Sequence, residues 1–162
     1  MSLHPTSFAD WQHYPSTLDP IHIAWLKNAK KSKTAFAVAD IEGVEISHKK
    51  FLTGVLLFSR KIEVYSPEQN VGLLLPSSGG GAIASMAILS LGKTIVNLNF
   101  TAGKKALQSA AQQAEVKHIY TSRKFLDKMQ ERGIDLESFF PDSKLLMLED
   151  IKEEISTLSR IG

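Results

Sequence analysis

Two glycine-containing stretches lie close together in the sequence and have the composition of phosphate-binding loops. Gly92-Lys93-Thr94 has the ending of the nucleotide-binding pattern G-x-x-x-x-G-K-[ST]. The other stretch opens a helix-like segment, where backbone N–H groups are able to bind an anion. It consists of Ser77, Ser78, Gly79, Gly80 and Gly81. Phosphate chemistry is therefore the first hypothesis that the sequence raises.

The Gly-Lys-Thr stretch does not complete such a loop. The pattern requires a glycine at position 87, where the sequence has Ala87. The order of elements is also wrong, because a phosphate loop lies after a strand and before a helix. Gly92 instead follows a helix-like segment and precedes a strand-like one, so we interpret it as the residue just past a helix end, where a positive φ is favoured. We predict a helix from about Gly80 to Leu91 that ends at this glycine.

The serine-glycine run has the right position but lacks the rest of a dinucleotide fingerprint. G-x-G-x-x-G needs a glycine at position 84, which is Ala84, although some dinucleotide folds accept alanine there. The acidic residue expected about twenty positions further on is also missing, and Asn97 and Asn99 occupy that region. Two interpretations remain: an anion site at Ser77–Gly81, or glycines that let the apolar helix Ala82–Leu91 pack closely against the chain.

Few other residues have the types and spacing of a catalytic or metal-binding site. The histidines show no metal-ligand spacing, and the absence of cysteine excludes disulfides, zinc–thiolate sites and thiol catalysis. Asp40, Glu42 and Glu45 form an acidic cluster, but we interpret them as residues of a turn, where acids are common. The sequence therefore predicts no catalytic residue and no metal site within this chain.

Composition indicates one ordinary globular domain. The 162 residues are 43% hydrophobic and 22% charged, with a formal net charge of +2, a balance that demands neither nucleic acid nor a membrane surface. The basic run Lys27–Lys33 is interpreted as a helix end, which favours cations. There is no signal-peptide pattern, and the longest apolar-rich run, Gly79–Leu91, is too short to span a bilayer. We expect no nucleic-acid partner, and the lack of cysteine favours a reducing compartment.

Patterns before residue 65 predict a helix, a hairpin and a second helix. We interpret residues 1–18 as an irregular segment that precedes the folded part of the chain. Asp19-Pro20 has the residue types of a helix start. Residues 35–47 alternate around a turn at Glu42-Gly43, as a β-hairpin does. Ser47 is then expected to cap a helix to about Val64, whose core-facing stripe is Phe51, Val55, Phe58 and Ile62.

After residue 70, strand-like and helix-like segments alternate. Thr101 and Asp150 are predicted to cap helices, and Gly133 to close one. The alternation predicts an α/β fold with a mainly parallel sheet and helices on both faces, preceded by the helix and the hairpin. The four strands are predicted at Val71–Leu75, Ile95–Leu98, His118–Thr121 and Leu145–Leu148.

The order of several motifs resembles the adenylate-forming acyl-activating enzymes, the AMP-binding superfamily. The motifs are "VGLLLP" at Val71–Pro76, "LG" at Leu91-Gly92, "LN" at Leu98-Asn99 and "IYTS" at Ile119–Ser122, and "IEGVEISHKKFL" precedes them. The runs "LNFTAG", "TSRKFLDK" and "LMLEDIK" look most like the adenylation domain of acyl-[acyl-carrier-protein] synthetases, which is often fused to a 2-acylglycerophosphoethanolamine acyltransferase. The resemblance covers about residues 20–160. His48 stands where the superfamily usually has tyrosine, and Ser77 where asparagine is common.

The resemblance implies a larger enzyme in which residues 19–162 are the N-terminal part of the acyl-activating (AMP-binding) domain and form part of its N-terminal subdomain. That enzyme would use ATP and Mg²⁺ to convert a fatty acid into an acyl-adenylate, and would pass the acyl group to a thiol of acyl carrier protein or coenzyme A. The superfamily's phosphate-binding loop, adenine and ribose motifs and catalytic lysine have no counterpart here, and no histidine begins the acyltransferase pattern H-x-x-x-x-D. We therefore expect this chain alone to be inactive and to hold no cofactor, with the remainder of the ligase as its partner.

The resemblance also implies a cytoplasmic protein, with the inner membrane as the alternative location of the full-length enzyme. A truncated piece of such an enzyme exposes apolar surface, which predicts an artificial dimer. Two hypotheses compete with the ligase. One is a self-contained module that binds a nucleotide or an anion at Ser77–Gly81, and the other is a flavodoxin-like interaction domain without a ligand.

Overall fold

The computed structural model describes residues 19–40 and 43–161, and its first elements are two helices and a hairpin. Helix α1 spans Ile21–Ala29, strands β1 and β2 span Phe36–Ala39 and Glu45–Ser47, and helix α2 spans His48–Tyr65. The two strands are antiparallel, which confirms the predicted hairpin. Its turn residue Glu42 and the predicted irregular segment 1–18 lie outside the described residues.

The rest of the chain alternates strands with helices. The strands are β3 (Asn70–Leu73), β4 (Thr94–Asn97), β5 (His118–Thr121) and β6 (Lys144–Met147). They form one sheet in the order β4-β3-β5-β6, and every neighbouring pair is parallel. The predicted parallel sheet is therefore confirmed. The helices are α3 (Gly79–Ser90), α4 (Lys104–Gln113), α5 (Arg123–Gln130) and α6 (Leu148–Ile161), with a 3-10 helix at Glu137–Phe139.

Two apolar cores cover the two faces of the sheet. Helices α2, α3 and α6 bury residues such as Ile62, Ile88 and Ile151 on one face. Helices α4 and α5 bury residues such as Leu107 and Phe125 on the other. The chain steps from β3 to β4 over the first face and from β4 through β5 to β6 over the second. The first connection crosses the sheet in one direction and the next two cross it in the opposite direction. Because the chain also changes face at that point, all three crossovers have the same hand, as parallel sheets require.

Helix α2 has the amphipathic stripe that the sequence predicts. Ser47 is its N-cap, and the Ser47 side chain accepts a hydrogen bond from the backbone N–H of Lys50. The predicted core residues are all buried: Phe51, Val55, Phe58 and Ile62. The Trp25 ring from α1 packs edge-on against Phe51, with ring centroids 5.1 Å apart. The stripe therefore holds α2 between α1 and the rest of the core.

Two predicted caps near the start of helices are wrong. Pro20, rather than Asp19, is the N-cap residue of α1, and the Asp19 carboxylate forms an ion pair with a lysine of the same helix at 2.6 Å. Gly103, rather than Thr101, is the N-cap residue of α4. The Thr101 backbone N–H and hydroxyl both bond to the Asn99 side chain. Asp19 and Thr101 therefore bond to nearby side chains and do not cap the helices.

The predicted cap of the last helix is also wrong. Helix α6 begins at Leu148, so Asp150 lies inside its first turn. The Asp150 carboxylate forms an ion pair with Arg123, and the N···O distance is 2.6 Å. An acid in the first turn still favours the positive end of the helix dipole. The helix therefore begins directly after β6, two residues before Asp150.

Gly92 closes α3 as the sequence predicts. Ser90 is the last helical residue, Leu91 follows as the cap, and Gly92 has a φ of +71°. A Cβ built on Gly92 meets no atom within 4 Å. A larger residue at this position would therefore cost conformational strain and would not cause a clash.

We expect Gly92→Val to lower the free energy of unfolding by about 1–3 kcal/mol, because a β-branched residue fits a positive φ poorly. Urea unfolding measures this loss. Gly103→Val is the matched control, since Gly103 also faces open space but has a φ of −62°. Its cost should stay below about 1 kcal/mol, and an equal loss in both variants would contradict the explanation.

Candidate functional site

A cleft opens at the carboxyl ends of β3 and β4, between the hairpin and the start of α3. Its volume is about 680 Å³. Open α/β sheets bind their ligands beyond the carboxyl ends of their strands. The polar side chains that line the cleft are Asp40, Ser77, Ser78, Ser85 and Asn97. The structure therefore brings the predicted serine-glycine run to the edge of the sheet where a ligand is expected.

The serine-glycine run forms the first turn of α3. Ser78 is the N-cap residue with extended backbone, and its hydroxyl accepts a hydrogen bond from the Gly81 N–H at 3.1 Å. The Ser85 hydroxyl donates to the Gly81 carbonyl at 2.8 Å. Serine is a preferred N-cap because its oxygen satisfies a helix N–H that has no partner inside the helix. One of the N–H groups that an anion would use is thus already bonded to the protein.

Asp40 folds onto the same helix terminus from the hairpin. One carboxylate oxygen accepts a hydrogen bond from the Gly79 N–H at 3.2 Å, and the other accepts one from the Val44 N–H at 3.1 Å. A Cβ at Gly79 would lie 2.8 Å from Cδ1 of Ile46 on β2. Asp40 therefore places a negative charge at the positive end of α3, and Gly79 leaves the room that the hairpin needs.

The cleft offers hydrogen-bonding groups but no positive side chain. None of its lining residues, as far as the chain is described, is lysine, arginine or histidine. Binding of a nucleotide triphosphate relies on cations as well as on backbone N–H groups. The Asp40 carboxylate, in addition, repels an anion. Anion binding at Ser77–Gly81 therefore requires Asp40 to leave the helix terminus, and it stays a prediction.

The Gly-Lys-Thr stretch lies at the other end of α3. The Lys93 ammonium donates to the backbone carbonyl of Glu68 at 2.6 Å, just before β3 begins. The Thr94 N–H donates to the carbonyl of Gln69. A helix of this length separates its ends by about 18 Å at 1.5 Å per residue. Lys93 is thus held at the amino ends of the strands, far from the serine-glycine run.

The remaining candidates do not assemble into a site. The His48 ring accepts a hydrogen bond from the Trp25 indole at 3.2 Å, and the His118 ring lies 2.9 Å from the Glu68 carboxylate. Within residues 19–40 and 43–161, no group of histidines and acids could hold a metal ion. No described helix combines the length and the apolarity that a membrane span requires.

The clearest shifts in pKa occur where elements are joined, away from the cleft. Hydrogen bonds from Lys61 and Tyr65 hold the pKa of Glu154 below its usual value, and the same bonds raise the pKa of Lys61 and of Tyr65. These bonds tie α2 to α6 at 2.7 and 2.6 Å. Burial raises the pKa of Tyr120 to about 12. Each shift is explained by a bond between elements or by burial, and none marks a catalytic group.

Asp40 is the site residue whose position sequence reasoning missed. A turn beginning with aspartate was visible in the sequence, but its partner Gly79 is 39 residues away. We expect Asp40→Ala to lower the free energy of unfolding by about 1–2 kcal/mol, since the hydrogen bonds from the Gly79 and Val44 N–H groups to a charged acceptor are lost. Asp40→Asn keeps one acceptor oxygen and should lose less. Urea unfolding of the two variants measures both losses, and an unchanged stability in Asp40→Ala would contradict the role of this carboxylate.

The same variant tests the anion site at Ser77–Gly81. If inorganic phosphate occupies the helix terminus once Asp40 is removed, phosphate raises the melting temperature of Asp40→Ala more than that of the unmodified chain. Sodium chloride at matched ionic strength is the control for screening. An equal response of both proteins to phosphate would count against an anion site at this position.

Comparison with known proteins gives a match of fold. No protein-family profile matches the sequence. VinN in complex with 3-methylaspartate superimposes with a TM-score of 0.71 over 89% of this chain and 38% of its own, at 14% identity. The N-terminal subdomain of NpsA from Klebsiella oxytoca, in complex with 3-hydroxybenzoyl-AMSN, gives 0.68 over 85% and 32%, at 9% identity. The O-succinylbenzoate coenzyme A synthetase MenE from Bacillus subtilis, in complex with AMP, gives 0.65 over 80% and 32%, at 10% identity.

These matches define the class of fold. The chain has the α/β architecture of the N-terminal subdomain of adenylation domains. In this chain it consists of a four-stranded parallel sheet that is preceded by an antiparallel hairpin. It spans between 32% and 38% of the length of the three matched chains. At identities of 9–14% the likeness is one of fold.

Proposed function

We propose that the chain is the N-terminal part of a longer adenylate-forming ligase that consumes ATP. The observation that carries the proposal is the agreement of fold over 80–89% of this chain with proteins of which one is a coenzyme A synthetase in complex with AMP. The order of the motifs from Val71 to Ser122 supports the same proposal, because it resembles the adenylate-forming superfamily.

The reaction we propose for the whole protein has two steps. A carboxylate attacks the α-phosphorus of ATP, which forms an acyl-adenylate and releases pyrophosphate. A thiol then attacks the acyl carbon, which forms a thioester and releases AMP. Mg²⁺ would neutralise charge on the phosphates.

The described residues of this chain do not fit an ATP or Mg²⁺ site. The cleft lacks a cation in its described lining, and the described residues provide no metal-binding cluster. We therefore assign no chemical step to this chain. Its proposed role is to support, through the sheet β4-β3-β5-β6, the parts of the ligase that bind the nucleotide.

We further propose that the acid is a fatty acid and that the acceptor thiol belongs to acyl carrier protein or to coenzyme A. The runs "LNFTAG", "TSRKFLDK" and "LMLEDIK" carry this finer proposal, because they resemble acyl-[acyl-carrier-protein] synthetases. Fusion to a lysophospholipid acyltransferase is part of the same proposal. The remainder of the ligase chain, the fatty acid and the thiol carrier are then its partners, and the cytoplasm or the inner membrane its location.

The test is an acid-dependent assay of pyrophosphate release with Mg²⁺ and ATP, on the whole protein that the gene encodes. Fatty acids of several lengths are compared with 3-methylaspartate, o-succinylbenzoate and glycine, the acids associated with structures of similar fold. We expect turnover with fatty acids only. Turnover with another acid would overturn the fatty-acid proposal and retain the ligase, whereas no turnover with any acid would count against the ligase.

Residues 1–162, assayed alone beside the whole protein, should show no turnover, because positioned cations and a phosphate cradle are both required. Appreciable turnover by this piece would mean that a site exists within it, with Ser77–Gly81 the first place to look. The alternative function is a self-contained anion-binding module at those residues. It predicts that inorganic phosphate raises the melting temperature of the unmodified chain more than sodium chloride of equal ionic strength does.

A further inference from the structure

The outward face of α2 combines cations with exposed apolar side chains. Residues at a spacing of i, i+4, i+7, i+11 and i+15 share one side of a helix. On α2 the side opposite the buried stripe presents Lys49, Thr53, Leu56, Arg60 and Val64, all of them exposed. Leu56 is 55% exposed and Val64 is 73% exposed. The face therefore carries two aliphatic side chains among its cations.

The fold adds a second set of lysines at the amino end of this face. The backbone N–H of Lys49 donates to the carbonyl of Lys33 at 3.0 Å, and that of His48 donates to the carbonyl of Ala35 at 2.9 Å. The loop after α1 therefore lies directly beside the start of α2. It brings in the exposed residues Lys30, Lys31 and Lys33. We name the outward stripe of α2 and these three lysines, together with Lys50, the basic ridge.

Negative charge is scarce on the ridge. Residues 20–39 and 46–62 contain no aspartate or glutamate. The acids that border these segments in the sequence are Asp19, which is paired with Lys27, and Glu45 and Glu63. In the fold, Glu154 of α6 also reaches α2, where it pairs with Lys61 at 2.7 Å. The two segments that form the ridge therefore carry lysines and an arginine without acids among them.

Exposed apolar side chains are concentrated in the same part of the molecule. Phe36 is 66% exposed and pairs across the hairpin with Ser47, the residue that caps α2. Among the residues that the structure describes, the exposed large hydrophobic side chains all belong to α1, the hairpin or α2: Ile21, Phe36, Val44, Leu56 and Val64. The α4 and α5 side has charged residues without such apolar neighbours.

We propose that the basic ridge binds peripherally to an anionic phospholipid membrane. Lysines attract anionic headgroups, and exposed Leu, Val and Phe side chains enter the boundary between headgroups and acyl chains. The combination of lysines with exposed aliphatic side chains on one face is the one that binds the surface of an anionic membrane. Nucleic acid is a less suitable ligand than a membrane, because aliphatic side chains form no hydrogen bonds with base edges and stack poorly on bases. The proposal rests on surface chemistry and does not depend on the ligase activity.

Co-sedimentation of the whole protein with phospholipid vesicles tests the proposal. Vesicles of phosphatidylcholine with about 30 mol% phosphatidylglycerol are compared with pure phosphatidylcholine, at about 0.05 M and about 0.5 M NaCl. We expect partitioning onto the anionic vesicles to be at least about tenfold stronger at the lower salt. No preference for anionic vesicles would overturn the proposal, as would tighter binding to duplex DNA than to these vesicles at the same salt.

A charge-matched pair of variants locates the binding surface. The ridge variant changes Lys30, Lys31, Lys33, Lys49 and Lys50 to Gln. The control variant changes to Gln the same number of exposed lysines from elsewhere, namely Lys105, Lys117, Lys128, Lys144 and Lys152. We expect the ridge variant to lose at least about 50-fold in partitioning and the control to lose less than about fivefold. Equal losses would show that net charge alone is responsible and would overturn the ridge as the site.

The apolar contribution is tested separately with Leu56→Ser and Val64→Ser. Both side chains are exposed, so the variants should keep the circular dichroism spectrum of the native fold. We expect the two changes together to lower partitioning by at least about fivefold at both salt concentrations, because an apolar term is not screened by salt. A loss confined to low salt, or no loss, would contradict insertion of these side chains.

Discussion

Gly72→Ala is expected to lower the free energy of unfolding by about 3 kcal/mol, since overpacking at a site enclosed by backbone and branched side chains is costly. Gly72 lies in the central strand β3 and pairs with Ile119 of β5. A Cβ on Gly72 would lie 2.7 Å from Cγ1 of Ile119 and 2.9 Å from Cγ1 of Val116. The His118 carbonyl oxygen would be only 3.2 Å away and cannot move without breaking the sheet. Urea unfolding of the isolated chain measures the loss.

Gly80→Ala is the control for this prediction. Gly80 lies in the first turn of α3, and a Cβ there would meet only Cδ1 of Leu148, at an ordinary contact distance of 3.5 Å. Alanine should therefore stabilise the chain by about 0.4–1 kcal/mol, because it restricts the unfolded state. If the two variants lost equal stability, the close approach of β5 to Gly72 would not be the cause.

Loss of the hydrogen bond between Ser66 and Tyr120 is expected to cost about 1–3 kcal/mol, because the group left behind is buried without its partner. The two hydroxyl oxygens are 2.9 Å apart, and both residues have no exposed surface. Ser66→Ala and Tyr120→Phe should each show this loss. The double variant should lose less than the sum of the two, by about 1–2 kcal/mol. Strict additivity in urea unfolding would mean that the two hydroxyl groups do not interact.

The same tyrosine gives the protein an alkaline limit. Burial raises the pKa of Tyr120 from its ordinary value of 10.0 to about 12. Because the folded state holds the phenol proton more tightly than the unfolded state, this stabilisation is complete below pH 10 and is lost as the pH rises towards 12. Tyr120→Phe should remove this component of the alkaline loss. Parallel curves of stability against pH for both proteins over that range would contradict it.

The order and type of the elements follow from local patterns in the sequence. Strand β3 lies in the continuous apolar run Val71–Leu75, which is typical of parallel strands covered on both faces. The α2 stripe and the glycine with positive φ after α3 are also visible, because helical period and helix ends are encoded within a few residues. Caps were less predictable. Asp19, Thr101 and Asp150 have the right residue types, yet each bonds elsewhere in the fold.

The candidate site was only partly visible in the sequence. The position of Ser77–Gly81 after a strand and before a helix was correct, and Ser78 does cap α3. The acceptor of the adjacent Gly79 N–H was not predictable, because Asp40 belongs to the hairpin, which is distant in the sequence. The surroundings of Gly72 were hidden for the same reason, since its closest neighbours come from the segment that enters β5.

The sequence by itself determined the alternation of strands and helices, the buried stripe of α2 and the end of α3, because each depends on residues within one or two turns of one another. Only the tertiary structure decided which distant groups meet. It paired Asp40 with Gly79, Ser66 with Tyr120 and Lys33 with Lys49. These contacts depend on the order of the strands and on the position of the hairpin. Both are determined by many interactions between residues that are far apart in the sequence. The basic ridge belongs to this second group: its lysines come from two separate segments, and folding alone makes them one surface.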